Sequence, residues 1–211
     1  MKTRPADSRG VVSNGWITST RTFSNNSYYD PQYMGWGNLK VINDDVQQPG
    51  NMVPNHEHNN FDILGYLIEG ELEHTDSLGN VNRARPGQIQ HMWCGRGIWH
   101  TEASVGSVPA RYLQIWIIPK NEHMMTDPYY EIIDKPIEQY GDIAVDLKQD
   151  FSISAGQLTG THTLNISNRG YLYVISGSVS GTDCALNEGD GAELAGDLTA
   201  DFDAHIILFK E

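Results

Sequence analysis

Short runs of β-branched and aromatic residues, broken at brief intervals by Gly, Asn and Asp, recur along nearly the whole chain and leave little room for anything but β-structure. Residues 38–43 (NLKVIN), 62–69 (DILGYLIE), 111–118 (RYLQIWII), 171–176 (YLYVIS) and 205–209 (HIILF) are examples. Few segments carry the apolar repeat of an amphipathic helix. Ser77-Leu78-Gly79-Asn80 has the composition of a hairpin turn. Regular short strands with turns between them predict an all-β sandwich or barrel. Residues 119–136, with Pro128 inside, interrupt the pattern and read as a linker with a short helical turn.

A weak internal repeat divides the chain. Tyr66-Leu67-Ile68-Glu69-Gly70-Glu71-Leu72, followed by Arg85-Pro86-Gly87-Gln88, has a counterpart in Tyr173-Val174-Ile175-Ser176-Gly177-Ser178-Val179, followed by Asn187-Glu188-Gly189-Asp190. Each copy reads as strand, Gly turn, strand, then a second Gly turn. Two copies of one β-domain are therefore expected, over residues 1–119 and 137–211, with 120–136 between them.

Two short motifs in the first copy carry chemistry: His56-Glu57-His58 and His100-Thr101-Glu102. On a strand, residues i and i+2 share a face, roughly 7 Å apart. Two such strands side by side would aim three imidazoles and one carboxylate at a common point. Imidazole and carboxylate together suit Fe, Ni, Cu, Mn, Co or Zn without a thiolate. Four such ligands leave one or two positions for water, substrate or oxygen, unlike a closed structural zinc site. Glu102 fits either a fourth ligand or a general base that takes a proton from a metal-bound hydroxyl.

In the second copy the aligned positions are Thr163 and Asn165, then Phe202 and Ala204, with His162 and His205 each one residue out of step. A one-residue offset turns a side chain to the other face, so no metal is expected there. Of the remaining residues, His74 is expected to point outward from its strand. His91 is expected as a half-buried strand histidine, and Cys94 as a small packed side chain. Phe61, Trp93, Ile98, Trp99 and Trp116 flank the motifs and are candidates for the walls of a pocket for a planar ligand, with ordinary β-core as the competing reading.

Composition narrows the partners. The chain has 211 residues, a hydrophobic fraction of 39% and five Trp, enough for a real core. A formal net charge of −13 disfavours direct contact with nucleic acid. Two cysteines cannot form a disulfide scaffold. The first residues carry no apolar run, and no stretch reaches the length of a membrane span. The expectation is a cytoplasmic protein that neither spans a membrane nor grips nucleic acid.

At these residues the chain resembles the pirin family of bicupins, including the bacterial pirin-like quercetin dioxygenases. The resemblance is carried by Arg9-Gly10, Trp16, Thr22-Phe23-Ser24, YYDP at 28–31, MGWG at 34–37 and VIND at 41–44. It continues through the His56/His58 pair, YLIEGE at 66–71, HTDSLGN at 74–80, Pro86-Gly87, Gly95-Arg96-Gly97-Ile98, His100-Thr101-Glu102 and Leu113-Gln114-Ile115-Trp116. It implies two tandem cupin (double-stranded β-helix, or jelly-roll) barrels. One divalent transition metal, iron first, would lie in the N-terminal barrel only, on His56, His58, His100 and Glu102. It also implies a monomer. The chain departs from the family pattern at Glu57 and Asn59, where the family reads Pro and Arg, and at Asp62 and Gln88, where it has Glu and Asp. The acidic Glu57 is expected at the pocket rim.

Two functions follow from the resemblance. In the first, the protein opens a small planar aromatic substrate, a flavonol such as quercetin, with dioxygen and release of carbon monoxide, Glu102 accepting the substrate's hydroxyl proton. In the second, it is a non-catalytic metal- or redox-responsive regulator that binds a protein partner. The enzyme is preferred because four ligands with open positions suit substrate coordination. An isomerase on a cupin fold fits less well, since the resemblance extends beyond generic cupin features.

Overall fold

A computed structural model describes the chain over residues 1–211. Its contacts divide it into two compact units, one of Gly10–Asp134 with Val145–Gln149, the other of Met1–Arg9, Lys135–Ala144 and Asp150–Glu211. The all-β expectation holds: the only helical pieces are two three-residue 3-10 turns, Ala6–Ser8 and Asn121–His123. No helix is long and apolar enough to cross a membrane.

In chain order, β1 (Lys2–Arg4) precedes the strands of the first unit. These are β2 (Gly10–Ser13), β3 (Ile17–Arg21), β4 (Leu39–Gln47), β5 (Met52–His58), β6 (Asp62–Glu69), β7 (Glu71–Asp76), β8 (Val81–Ala84), β9 (Gln88–Trp93), β10 (Ile98–Val105), β11 (Ala110–Ile117) and β12 (Tyr129–Asp134). They form a seven-stranded sheet in the order β12-β9-β6-β11-β4-β3-β2 and a four-stranded sheet in the order β5-β10-β7-β8. All pairings are antiparallel. Apolar clusters join the two sheets. Ile63 and Met92 of the larger sheet pack with Ile98 of the smaller, and Leu67 and Tyr112 pack with Leu72 and Ala84.

The second unit contains β13 (Gly141–Asp142), β14 (Ser152–Leu164), β15 (Gly170–Gly181), β16 (Cys184–Asn187), β17 (Gly191–Leu194) and β18 (Leu198–Lys210). Its order is β1-β17-β15-β18-β14-β13, with β16 also paired to β15. Three strands of 12 or 13 residues close on one apolar cluster that includes Leu158, Leu172, Val179, Phe202 and Leu208.

The repeat seen in the sequence has a backbone cause. In each unit one residue is bulged out of register two positions before the repeated glycine: Ile68 before Gly70, opposite β11, and Ile175 before Gly177, opposite β18. Both glycines have positive φ, and a Cβ at either would collide with a backbone carbonyl, that of Pro109 or of Asp203. A bulge sharpens the local bend, and only glycine accepts the conformation and the close approach together. In the first unit the bend carries the chain from the seven-stranded to the four-stranded sheet.

Two stretches differ from the sequence-based expectation. Residues 129–134 of the expected linker form edge strand β12, paired along β9 from Tyr129↔Trp93 to Asp134↔Gln88. Pro128 had suggested a break, but a proline immediately before an edge strand forfeits no ladder hydrogen bond. The first residues, expected with the N-terminal domain, instead pair with β17 through Lys2↔Glu193 to Arg4↔Gly191. Ser77–Asn80 is the β7–β8 turn, as expected, with the backbone N–H groups of Leu78 and Asn80 donating to Asp76 Oδ1.

His91 and Asp62 tie the larger sheet together. His91 has a carboxylate oxygen at each ring nitrogen: Asp62 Oδ1 at 3.0 Å from Nε2 and Glu131 Oε1 at 3.0 Å from Nδ1. It is fully buried rather than half-buried, and Asp62 is equally inaccessible. The other Asp62 oxygen accepts the backbone N–H of Lys148 at 2.7 Å, anchoring residues 145–149. Removing one partner of such a pair strands a buried charge. His91→Leu, which keeps the bulk and removes both hydrogen bonds, is expected to lower unfolding stability by about 3–5 kcal/mol in denaturant titration. A loss below about 1 kcal/mol, the range of an exposed pair, would contradict this role.

Candidate metal centre

Alternation along two neighbouring strands builds the site. On β10, Ile98, His100, Glu102 and Ser104 are buried while the residues between them are more open. On β5, His56 and His58 are partly covered and Glu57 is exposed. Antiparallel pairing sets Ile98 opposite His58 and His100 opposite His56, and a register shift then places Glu102 opposite Val53. The three imidazoles converge: one ligand nitrogen from each of His56, His58 and His100 lies within 4.8 Å of the others. Glu102 is outside that tight set. Its buried carboxylate faces the same cavity and accepts from Gln114 Nε2 at 3.4 and 3.3 Å.

The hydrogen bonds around the imidazoles determine which nitrogens carry protons. His56 Nδ1 lies 2.9 Å from the carbonyl oxygen of Pro54, which can only accept, so Nδ1 is the donor and Nε2 keeps its lone pair. Asp76 already accepts from Leu78 and Asn80, and His74 Nε2 donates to its Oδ2 at 2.9 Å. His74 Nδ1 is then an acceptor for His100 Nδ1, 3.4 Å away. That leaves His100 Nε2 bare, and it faces His56 Nε2 at 3.1 Å. Two lone pairs that face each other across this gap suit a shared metal cation. Burial, followed by the neighbouring imidazoles, pushes His100 down to about 2, and burial with His56 pushes His58 down to about 4, so both favour the neutral form. Neutral imidazoles are the metal-binding form, so the donor set fits one divalent metal ion.

His74 was expected to face outward and is instead 1% exposed, stacked on Tyr130 at 3.9 Å between ring centroids. Leu72 held the missed signal: it is apolar, and a residue two places on shares its face. The carboxylate–imidazole–imidazole line from Asp76 through His74 fixes the ring orientation and tautomer of His100, a recurring way of orienting metal-ligating histidines.

A cavity of about 340 Å³ opens beside the imidazoles. His56, His58, Glu102 and Trp116 line it, with Ser19, Arg21, Asn43, Asp45, Tyr112 and Gln114 extending it over the inner face of β3, β4 and β11. Of the expected wall residues, Trp116 lies in place, with His58 against it at 4.7 Å. Phe61 stands behind Trp116, while Ile98 and Trp93 are buried in the core, and the Trp93 indole N–H donates to Thr126. Trp99 is 46% exposed on the opposite face of β10. Glu57 likewise lies on the outer face of β5 and does not acidify the rim. Cys94 is buried and its thiol is pushed up by desolvation, which makes it an inert packing residue.

Burial also pushes the Glu102 carboxyl up, with His56 and the Gln114 amide acting in the opposite direction. A cation held by the imidazoles would favour its ionised form.

Comparison with known proteins extends over the whole chain. The pirin family model matches residues 3–117, and a model described as the quercetinase C-terminal cupin domain matches residues 138–210. A quercetin 2,3-dioxygenase of Escherichia coli K12 is 33% identical, over 98% of this chain and 96% of its own length. A pirin-like protein of Caulobacter vibrioides is 33% identical over 97% of each chain. The crystal structure of the bacterial pirin YhhW from Escherichia coli in complex with nickel(II) superposes with a TM-score of 0.92 at 30% identity, covering 99% of this chain and 97% of that one.

Removing an orienting partner of a ligating histidine typically weakens metal affinity about 10–100-fold. His74→Phe, which preserves the stacking on Tyr130 but cannot accept from His100, is expected to weaken metal binding by about that factor in a competitive chelator titration. An unchanged affinity would show that His100 does not need this support.

Proposed function

The chain belongs to the pirin family, and from that premise we propose that it is a metal-dependent dioxygenase that opens flavonols such as quercetin with dioxygen and releases carbon monoxide. The observation that carries this reading is the convergence of three imidazoles, with His56 and His100 Nε2 atoms 3.1 Å apart and His56 and His58 lining a cavity large enough for a small aromatic guest. His56, His58 and His100 would hold the metal, iron first among the candidates, with Glu102 beside it as a fourth ligand or as the base. The bound metal would supply Lewis acidity toward a substrate hydroxyl and a route for dioxygen to an electron-rich ring.

The protein's own groups do the rest. Trp116, held from behind by Phe61 and touching His58, offers an apolar face against which a planar ring can lie. Gln114 donates to both oxygens of Glu102 and fixes its aim. A carboxylate so oriented can accept the proton of the flavonol hydroxyl as the ring enters. Because the site lies inside a β-sandwich, with His100 and Glu102 1% and 5% exposed, bulk water is largely kept from the reacting end.

The test is aerobic and anaerobic turnover of quercetin by protein reconstituted with a single metal at a time. Bleaching of the flavonol absorbance that requires oxygen is expected. His56→Ala should lose bound metal by elemental analysis, and Glu102→Gln should lose turnover by roughly 10²-fold or more. Metal-loaded protein that leaves quercetin intact under oxygen but retains a specific protein partner would replace this reading with the regulatory one.

A further inference from the structure

The end of the cavity away from Trp116 is polar. On the inner face of the larger sheet, cross-strand pairing sets Ser19, Asp45 and Tyr112 in one row and Arg21, Asn43 and Gln114 in the next. Trp116, beside His58, lies four residues further along β11. At ~3.3 Å per residue along a strand and ~4.8 Å between strands, the backbone at Asp45 is about 14 Å from that at Trp116. A single guest that touches both ends must be elongated.

Asp45 lies at this far end, 6% exposed, with its side chain lining the cavity. Its environment supplies fewer donors than it can use. The Ser19 hydroxyl hydrogen-bonds to the carboxyl group. Arg21, close enough to act on it through space, directs Nε to Ser19 Oγ at 3.3 Å and Nη1 to Asn25 O at 2.9 Å and Ser27 Oγ at 3.3 Å. Tyr112, its cross-strand neighbour, donates instead to Gln47 Oε1 at 3.2 Å. Asp45 Oδ1 is buried and has no hydrogen-bond partner. Buried polar atoms are otherwise nearly always paired, and a carboxylate oxygen without a donor inside a cavity is costly unless a guest provides one.

We propose that Asp45, oriented by Ser19, is a second binding point in the same cavity and accepts a hydrogen bond from a hydroxyl on the ring of the guest farthest from Trp116 and His58. The preferred substrate is then an elongated aromatic with a metal-binding hydroxyl and, on a ring remote from it, a phenolic hydroxyl. The choice of a flavonol as that aromatic rests on the dioxygenase reading. Consistent with a carboxyl short of donors, burial pushes Asp45 up to about 7 against the opposing pull of Ser19 and Arg21, with Glu102 and Asp44 adding to the rise.

Two flavonols that share the metal-binding end separate the possibilities: quercetin, which carries hydroxyls on its outer rings, and 3-hydroxyflavone, which has none. Both are titrated without oxygen against the zinc-loaded protein, followed by absorbance. The wild type should prefer quercetin by about tenfold or more, as expected for a hydrogen bond to a carboxylate. Asp45→Ala should abolish most of that preference, and Asp45→Asn, which keeps a neutral acceptor, should leave an intermediate one. Affinity for 3-hydroxyflavone should stay within about twofold of wild type, since loss of a donor-specific contact leaves the shared end untouched. Equal weakening of both ligands, or a preference that survives Asp45→Ala, overturns the proposal. Turnover by iron-loaded protein is measured beside it. Quercetin consumption with an Asp45-independent preference removes this binding point and leaves the dioxygenase reading standing. An Asp45-dependent preference without consumption does the reverse, and failure of the wild type to bind either flavonol overturns both.

Discussion

The pairing of β5 with β10 is the constraint on which the rest of this molecule depends. Antiparallel register places His100 opposite His56 and Ile98 opposite His58, and the shift after His100 moves Glu102 out of the imidazole cluster toward Gln114. A one-residue slip of either strand would turn its histidines to the solvent face while its hydrophobic residues lost the core. The packing of Ile98 with Ile63 and Met92 therefore holds the metal centre in register as well as the fold.

Buried polar groups in this unit are arranged as partnered lines that end at the site or brace the sheet behind it. Asp76, His74 and His100 make one line, which terminates in a lone pair aimed at His56. Gln114 and Glu102 make a second. Asp62, His91 and Glu131 make a third, remote from the cavity, which joins β6, β9 and β12. Such networks are stable only when nearly every member is satisfied. The exceptions are informative for that reason: among the residues that line the cavity, Asp45 Oδ1, Gln114 Oε1 and Trp116 Nε1 are buried without a hydrogen-bond partner.

The two units show how one β-scaffold diverges. Both keep the bulged residue and the positive-φ glycine that follows it, because the bend is a backbone requirement that no other residue meets. Three residues after the repeated glycine, Glu73 pairs with Ala103 in the first unit and Ser180 with Asp201 in the second, so Leu198 and Ala200 stand where His100 and Glu102 do, rather than the Phe202 and Ala204 expected from the sequence. There Ala200 is part of an apolar cluster and Leu198 packs against it. His162 is exposed, and its Nε2 donates to the nearby carbonyl oxygen of Thr159.

What the sequence determined by itself is everything governed by the two-residue period of a strand. It set the β class, the turn at Ser77–Asn80, the repeated glycines, and the placing of His56 with His58 and of His100 with Glu102 on common faces. Local spacing carries that information, because side-chain direction along a strand depends only on parity. The tertiary structure decided which faces meet. His74 turns inward because its strand shares a core with Leu72, and residues 129–134 of the expected linker became an edge strand because β9 offered them an open ladder. Trp93 and Ile98 went to the core rather than the cavity, and Phe61 to a place behind Trp116. Asp45, Asn43 and Arg21 came to line it because β3 and β4 lie beside β11 in the sheet. These outcomes depend on pairings between residues distant in the chain, and parity along one strand holds no record of its neighbour.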